Sequence, residues 1–264
     1  MRLGLFSPYS ISTAESPALW LLGSGLPEFG HEMLQIKCDG CFSVCDRALS
    51  PQQGFGRKFS ECFACSRDQS FLSERLNTKI LKLSSFLTPD ELVLSKRWAQ
   101  TFEMSNVKDL AIEGENLLWL CRSSLKNRFG TIEAALRIPE IENSLREMFL
   151  STIRTISAAR KFSRTSNCDL LLVSGRDFLA ESFALGAKLE EIPTARFIWD
   201  PKSSLLNIAH PYKNEVLTQD ITGIDLRSLL GNPQNWPESA NELLKEMMQF
   251  LEIPSSQMVL FAAN

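Results

Sequence analysis

The first 37 residues contain two short apolar runs on either side of an apolar helical segment, and this order constrains the fold more than any other feature. Residues 2–6 and 33–37 are predicted as strands, and residues 18–26 as a helix with Pro17 in its first turn. A strand, a helix and a strand of these lengths form a β-α-β unit, which joins parallel strands. The sequence therefore predicts a parallel sheet flanked by helices.

Later segments repeat this alternation. The longest predicted helix spans residues 141–162, where apolar side chains recur at helical spacing, and residues 169–173 follow as a buried strand. A further helix is predicted at residues 177–188, and a further buried strand at residues 195–199. Together these segments favour an α/β fold of the Rossmann type, a three-layer parallel sheet with helices on both faces.

Two more helices and a long irregular segment complete the predicted elements. The run Thr88-Pro89-Asp90-Glu91 favours a helix start capped by Thr88, after a helix over residues 71–83. Residues 200–235 are polar and are predicted to be irregular, and residues 239–251 are predicted to be helical.

The C-terminal residues set the predicted domain boundary. Residues 258–261 have the composition of a strand. We expect one Rossmann-like domain over residues 1–255, and residues 256–264 are either a terminal strand or the start of a missing second domain.

Five of the seven cysteines fall within residues 38–65, which we expect to form an irregular insertion held by a metal. Cys62-x2-Cys65 has the spacing of a chelating loop, and a second pair comes from the cysteines before it. This pattern predicts a structural zinc site, with an iron–sulfur cluster as the second choice. The expected ligands are Cys38, Cys45, Cys62 and Cys65, with Cys41 as the alternative to either of the first two. The other interpretation is that these cysteines are small core residues.

Composition narrows the classes of function. Hydrophobic residues make up 44% of the chain, charged residues 22%, and the net charge is −3. This composition is typical of a globular protein, and no nucleic-acid partner is expected because no global positive field is present. No signal peptide and no membrane-length apolar run is found, so we expect a cytoplasmic protein with at most peripheral membrane contact.

Ligands of open parallel sheets bind beyond the carboxyl ends of the strands, and this rule selects the candidate site residues. Ser174, Gly175 and Arg176 lie between a predicted strand and a predicted helix, where a phosphate or carboxylate is favoured. Asp200 follows a buried strand and is a candidate general base. Candidates in the polar segment after it are Asn207 for substrate binding and His210 for catalysis. Ordinary turns and an exposed histidine are the alternatives for these positions.

Two short runs resemble motifs of bacterial glycosyltransferases that build capsules and other surface polysaccharides. The first is Gly30-His31-Glu32, a strand and then Cys38-Asp39-Gly40, followed by Cys45 and Cys62-x2-Cys65. The second is the strand and turn at residues 168–176, which ends in Ser174-Gly175-Arg176. The similarity extends over about residues 1–215. Ser174 stands where the family usually has Asn, and Asp200-Pro201 where it has an acidic residue followed by Arg-Gly.

The resemblance implies a GT-B architecture, in which two Rossmann-like domains face each other across a cleft. This chain then supplies the half that binds a sugar or lipid-linked acceptor, with Asp200 or His210 as the base and Arg176 as an anion contact. A nucleotide-sugar donor requires a C-terminal half or a partner subunit, so the chain alone is expected to be nearly inactive. The alternative function is a non-catalytic, zinc-stabilised interaction or regulatory module.

Overall fold

The computed structural model describes residues 1–8, 16–42, 44–45, 59–76, 78–200, 202–203, 205–221 and 235–254. The strands of its main sheet are β1 Arg2–Phe6, β2 Glu32–Lys37, β3 Lys79–Lys82, β6 Leu170–Ser174, β7 Thr194–Asp200, β8 Leu205–Ala209 and β9 Val216–Gln219. A separate two-stranded hairpin contains β4 Ala111–Ile112 and β5 Glu115–Asn116. The main sheet has the strand order β3-β2-β1-β6-β7-β8-β9.

The first five strands in this order are parallel, and the last two are antiparallel to their neighbours. Phe6 of β1 lies between Ile36 of β2 and Val173 of β6, so three successive neighbours share one register. Strands β7, β8 and β9 form an antiparallel meander. This confirms an α/β fold with a mostly parallel sheet, and it shows that the prediction of an irregular segment over residues 200–235 is wrong at β8 and β9.

Helices pack on both faces of the sheet. Their bounds are α1 Ser16–Gly25, α2 Phe59–Leu76, α3 Pro89–Gln100, α4 Leu117–Leu120, α5 Arg122–Phe129, α6 Ile132–Leu136, α7 Ile141–Ser166, α8 Phe178–Leu189 and α9 Glu238–Phe250. The three-layer Rossmann-like arrangement follows from the strands, because their side chains alternate between two separate apolar clusters.

Each face of the sheet has its own core. Phe6 and Val173 belong to the cluster that contains the inner sides of α7 and α8. Leu3 and Leu172 point the other way, into the cluster that contains α1 and α9. Because both faces of β1 and β6 are buried, these strands are apolar throughout, as is expected of central parallel strands.

Several predicted elements are confirmed, and the clearest is the start of α3. The Thr88 side chain accepts a hydrogen bond from the Glu91 amide, and the Glu91 carboxylate accepts one from the Thr88 amide, which is a complete capping box. Pro89 occupies the first helical position, where its missing N–H has no cost. The long helix is also confirmed and is four residues longer than its predicted end, since α7 reaches Ser166.

The segment between β2 and α3 differs from its prediction. The expected helix over residues 71–83 is wrong in its bounds, because α2 covers Phe59–Leu76 and β3 covers Lys79–Lys82. Helix α2 therefore contains Cys62 and Cys65, which had been placed in an irregular loop. Its Ser- and Cys-rich sequence has few apolar side chains at helical spacing, so periodicity gave little indication of this helix.

Two further expectations concern the C-terminal strand with its domain boundary and the contact with a membrane. Residues 258–261 and the proposed boundary at residues 256–264 lie outside the described residues. Among the helices that the structure does describe, none is both long enough and apolar enough to cross a membrane.

Close approach of α7 to α8 fixes the layer on one face. A Cβ atom on Gly186 of α8 would lie 2.6 Å from the carbonyl oxygen of Ile156 and 2.6 Å from the Cβ atom of Ala159, both in α7. Contacts this short do not occur, so only glycine allows the two helix backbones to approach so closely.

Substitution of Gly186 by alanine tests this packing. On a free helix surface, Gly→Ala stabilises a helix by about 1 kcal/mol. We expect Gly186→Ala instead to lower the free energy of unfolding by about 1–3 kcal/mol, because α7 must shift to make room. Urea unfolding measures this value, with the exposed Lys188→Ala at the end of α8 as the control. A G186A variant as stable as the wild type would contradict the packing argument.

Candidate functional site

The sheet reverses its direction of growth between β1 and β6. From β1 the chain builds β2 and β3 on one side, and later builds β6 and β7 on the other side. In open α/β sheets, this reversal leaves a crevice outside the carboxyl ends of the two central strands, where ligands bind. The edge formed by the ends of β2, β1, β6 and β7 is called the carboxyl edge below.

A buried lysine lies at this edge. Lys37 is the last residue of β2, and only 7% of its surface is exposed. Its ammonium group donates a hydrogen bond to Ser70 Oγ at 3.3 Å, and no carboxylate of the described residues forms a salt bridge with it. Lysine is almost never this buried without an ion pair, because the ammonium group loses its hydration. An anionic ligand would supply the missing negative charge.

A buried amide lies next to Lys37 and Ser70. Gln69 of α2 is 1% exposed, and its Nε2 atom donates to the carbonyl oxygen of Pro8 at 3.5 Å, just beyond the end of β1. Its Oε1 atom is buried and accepts no hydrogen bond from the residues that the structure describes. A buried acceptor without a donor costs about 1–3 kcal/mol of stability. Such an acceptor indicates a place where a ligand or a water molecule donates the missing hydrogen bond.

Register brings Ser174 close to Lys37. Both residues lie one position beyond the row that joins Ile36, Phe6 and Val173. They therefore flank the residue after β1 on its two sides, with their Cα atoms about 10 Å apart at the usual spacing of strands. The chain leaves this same edge at the end of β1, and helix α1 begins at Ser16. The amino end of a helix favours a negative charge.

The turn after β6 is rigid and is already satisfied by the protein. Gly175 has φ +91°, and its amide donates to the carbonyl oxygen of Phe197 at 2.9 Å. At the start of α8, the amides of Leu179 and Ala180 donate to Asp177 Oδ1, at 2.8 and 3.2 Å. The Asp177 carboxylate thus occupies the amino end of α8, where the sequence predicts a ligand anion. Arg176 is exposed and remains available for an anion contact.

Asp200 ends β7 at the same edge. Hydrogen bonds from Ser203 Oγ, at 2.8 Å, and from the Lys202 amide, at 3.0 Å, hold the pKa of the Asp200 carboxyl below its usual value, and the Arg176 charge acts in the same direction. The carboxylate is therefore ionised at neutral pH and is a weak base. The structure brings Asp200 and Arg176 into electrostatic contact at the carboxyl edge.

His210 lies at the opposite end of the sheet. Arg196 is paired with Ala209 and Asp200 with Leu205, so Asp200 and His210 are about 16 Å apart along the hairpin. The His210 Nδ1 atom accepts hydrogen bonds from the amides of Tyr212 and Lys213, at 3.0 and 3.1 Å. These contacts give His210 a structural role in the turn that follows β8, and the two catalytic candidates do not share one site.

Asn207 is separate from both of them. It lies in the middle of β8, where its Oδ1 atom accepts a hydrogen bond from Thr218 Oγ1 of β9 at 2.9 Å. Its role in substrate binding stays a prediction.

The residues of the first resemblance have structural contacts at the other edge. Gly30 has φ +77°, which favours glycine, and Glu32 forms a salt bridge with Arg2 at 2.7 Å. His31 is buried between the amino group of Met1 and the carbonyl oxygen of Pro254, and burial lowers the pKa of its imidazole. These contacts hold the two ends of the described chain together, away from the carboxyl edge.

Two of the clustered cysteines contact each other. Cys38 and Cys41 are joined by a hydrogen bond between their thiols, which lowers the pKa of Cys38 and raises that of Cys41. Their loop is anchored because Asp39 accepts hydrogen bonds from the amide and the hydroxyl of Ser84. Across the part of the chain that the structure describes, no three Cys, His, Asp or Glu side chains are arranged to hold a metal ion.

The outer cysteines of the cluster occupy separate positions. Cys45 is partly buried and packs against the α7–α8 core together with Cys38 and Cys41. Cys62 and Cys65 lie one helical turn apart in α2, and both are partly buried. The ligand set proposed from the sequence stays a prediction, and the thiol contact supports the alternative that included Cys41.

Sequence reasoning missed Lys37 and Gln69. Lys37 was visible as a charged residue that ends an apolar strand at a predicted ligand edge, and that position is a usable signal. Gln69 carried no such signal, because its burial depends on how α2 meets the loop after β1.

No family model matches the sequence, and no curated protein matches it.

Replacement of Lys37 by methionine tests the anion site. In the absence of anions, we expect Lys37→Met to raise the free energy of unfolding by about 1 kcal/mol, because it removes a buried charge that has no carboxylate partner among the described residues. The wild type should gain about 1.4 kcal/mol at a pyrophosphate concentration ten times its Kd, and the variant should gain nothing. Urea unfolding with and without inorganic pyrophosphate measures both effects.

Lys82→Met is the matched control. Lys82 is the register partner of Lys37 on the next strand and is exposed. This variant should keep the full response to pyrophosphate. An equal loss of response in both variants would indicate a general charge effect, and no response in the wild type would exclude this site.

Proposed function

We propose that this chain is the acceptor-binding half of a GT-B type glycosyltransferase that acts in the biosynthesis of surface polysaccharide or glycolipid. Two observations support the proposal. Both motifs that resemble this family end at the carboxyl edge, one in Cys38-Asp39-Gly40 after β2 and the other in Ser174-Gly175-Arg176 after β6. The Rossmann-like sheet presents that edge to a ligand, as each half of a GT-B enzyme does.

The buried Lys37 is the observation that carries the proposal. An acceptor that is linked to a lipid through phosphate has an anionic group beside its sugar, and a buried ammonium group binds such an anion strongly because little water screens it. Arg176 is a second cation at the same edge. The acceptor's phosphate contacts Lys37, and its sugar hydroxyls extend toward β6 and β7.

Asp200 is the residue best placed to act on the acceptor hydroxyl. It is at the carboxyl edge and is ionised, so it accepts a hydrogen bond from that hydroxyl and takes its proton as the new glycosidic bond forms. His210 is a poorer candidate for this role, since it lies at the opposite edge and its side chain is only 1% exposed. Asp200 as the base and Arg176 as the anion contact thus act in one site, whereas His210 has a structural role in the turn after β8.

The donor belongs to the other half of the enzyme. A nucleotide-sugar binds to a C-terminal half or a partner subunit, which also stabilises the leaving nucleotide. The chain alone therefore binds acceptor with little or no transfer of sugar.

A zinc ion is the cofactor that fits the cysteine chemistry. Thiolates are preferred zinc ligands, and Cys38 and Cys41 are already in contact. Cys62 and Cys65, one turn apart on α2, supply the second pair, with Cys45 as the alternative to either member of the first pair. Because metal binding is coupled to ordering in such sites, the two pairs would hold a zinc ion together, and it would supply structural stability.

Acceptor binding is tested with soluble sugar diphosphates that carry a short polyprenyl chain. We expect saturable binding by isothermal titration calorimetry, weakened at least about tenfold by Lys37→Met and by Arg176→Ala, since each removes a charge-assisted contact. Asp200→Asn should bind normally, because it keeps the shape and loses only the charge. Lys82→Met is again the control. Absence of binding to every sugar diphosphate would reject the acceptor role and favour the non-catalytic module.

Elemental analysis tests the metal. We expect about one zinc per chain, with roughly four thiols becoming reactive on chelation. Cys62→Ser should abolish zinc binding, whereas Cys168→Ser should not, because Cys168 is a buried core residue. A metal-free chain whose clustered thiols all react at once would reject the zinc site.

A further inference from the structure

A cleft of about 540 Å³ lies away from the carboxyl edge, beside the outer face of α8. Its walls come from α4 and α5, from the loop that leads into β7, and from the turn after β8. Residues at the start of β7 line it, such as Thr194, whereas the carboxyl edge is at the other end of that strand. Along β7, the cleft residues Thr194 and Arg196 lie about 20 and 13 Å from Asp200, and Arg196 also donates to the carbonyl oxygen of Gly175.

A network of three charged side chains forms the polar wall of this cleft. The two terminal nitrogens of Arg196 contact the two carboxylate oxygens of Glu181, at 3.2 and 3.3 Å. Arg122 approaches the same carboxylate at 3.9 Å. All three side chains are less than a quarter exposed, so their orientations are fixed by the protein before any ligand arrives.

Two aromatic rings border the cleft and are largely exposed. Trp119 is 54% exposed and Tyr212 is 65% exposed. The Arg122 guanidinium lies 3.6 Å from the centre of the Trp119 ring and also donates to the Trp119 carbonyl oxygen, so this indole is held in place. Tyr212 is positioned by its amide, which donates to the buried His210. Both rings therefore present accessible apolar faces at the border of the cleft.

The charges around the cleft balance. Its lining contains three acidic and three basic side chains, namely Glu115, Glu181, Glu191, Arg122, Lys188 and Arg196. In the central network two guanidinium groups share one carboxylate, and the other three charged side chains bring the lining as a whole to balance. The cleft therefore has no surplus charge with which to select an ion, and it suits a neutral ligand.

We infer that this cleft binds neutral carbohydrate, as a short segment of a glycan chain. A pyranose ring has C–H faces that pack on aromatic rings and a rim of hydroxyl groups that pair with fixed Arg and Glu side chains. The cleft is large enough for a ligand of this size. The inference does not depend on the proposed function, since it rests on different residues at a different place.

Affinity electrophoresis tests the inference. The purified chain is run in native gels that contain neutral polysaccharides, namely dextran, glucomannan, galactomannan and xyloglucan. We expect retardation by at least one of them, with the affinity lowered about tenfold or more by Trp119→Ala and by Tyr212→Ala. Trp119→Phe should retain most of the affinity, because it keeps an aromatic face. The retardation should not depend on salt, as is expected for an uncharged ligand.

Two control variants separate this site from other surfaces. Val216→Ala removes an exposed apolar side chain that is not part of the cleft lining, and it should bind as the wild type does. Lys37→Met should also bind normally, so a failure of the phosphate site leaves this result intact.

Three results would overturn the inference. They are no retardation by any neutral polysaccharide, unchanged retardation of both aromatic variants, and retardation only by anionic polysaccharides such as polygalacturonate in a salt-dependent manner.

Discussion

The contact between α7 and α8 is the constraint on which the rest of this structure depends. Gly186 allows the backbones of the two helices to meet, and Gly4 allows α7 to approach β1, where a Cβ atom would lie 3.0 Å from the Phe162 ring. Because α7 has 26 residues, it covers the centre of the sheet and fixes the angle at which α8 leaves β6. The turn at residues 174–177 and the outer wall of the cleft both follow from the position of α8.

Arg196 shows how these parts are joined. It lies in the lower half of β7, and one of its terminal nitrogens donates to the carbonyl oxygen of Gly175 at 3.0 Å while it also binds Glu181 of α8. The same side chain thus supports the turn at the carboxyl edge and the polar wall of the cleft. Two sites at different ends of one strand share a structural element, although each has its own ligand chemistry.

The sequence predicted the central elements because they are buried on both sides, and burial leaves a continuous apolar run. Strands β1 and β6 belong to this class, whereas helices α7 and α8 were predicted from apolar residues at helical spacing. The carboxyl edge followed from the order of these elements. Strands β8 and β9 were missed because only alternate residues face the core, and their polar residues resemble a loop. The capping by Asp177 and the burial of Lys37 and Gln69 depend on distant parts of the chain, which no local pattern records.

Electrostatics separate the two candidate sites. In the cleft, Arg122 and Arg196 both contact the Glu181 carboxylate, and loss of Glu181 would leave two partly buried cations without this partner. At the carboxyl edge, Lys37 has a hydroxyl as its partner and no carboxylate among the described residues. A buried charge without a counter-charge reduces the stability of the free protein, and such violations are expected where a ligand completes the site. The cation at the carboxyl edge thus has only a hydroxyl contact among the described residues, whereas the two arginines of the cleft share the carboxylate of Glu181.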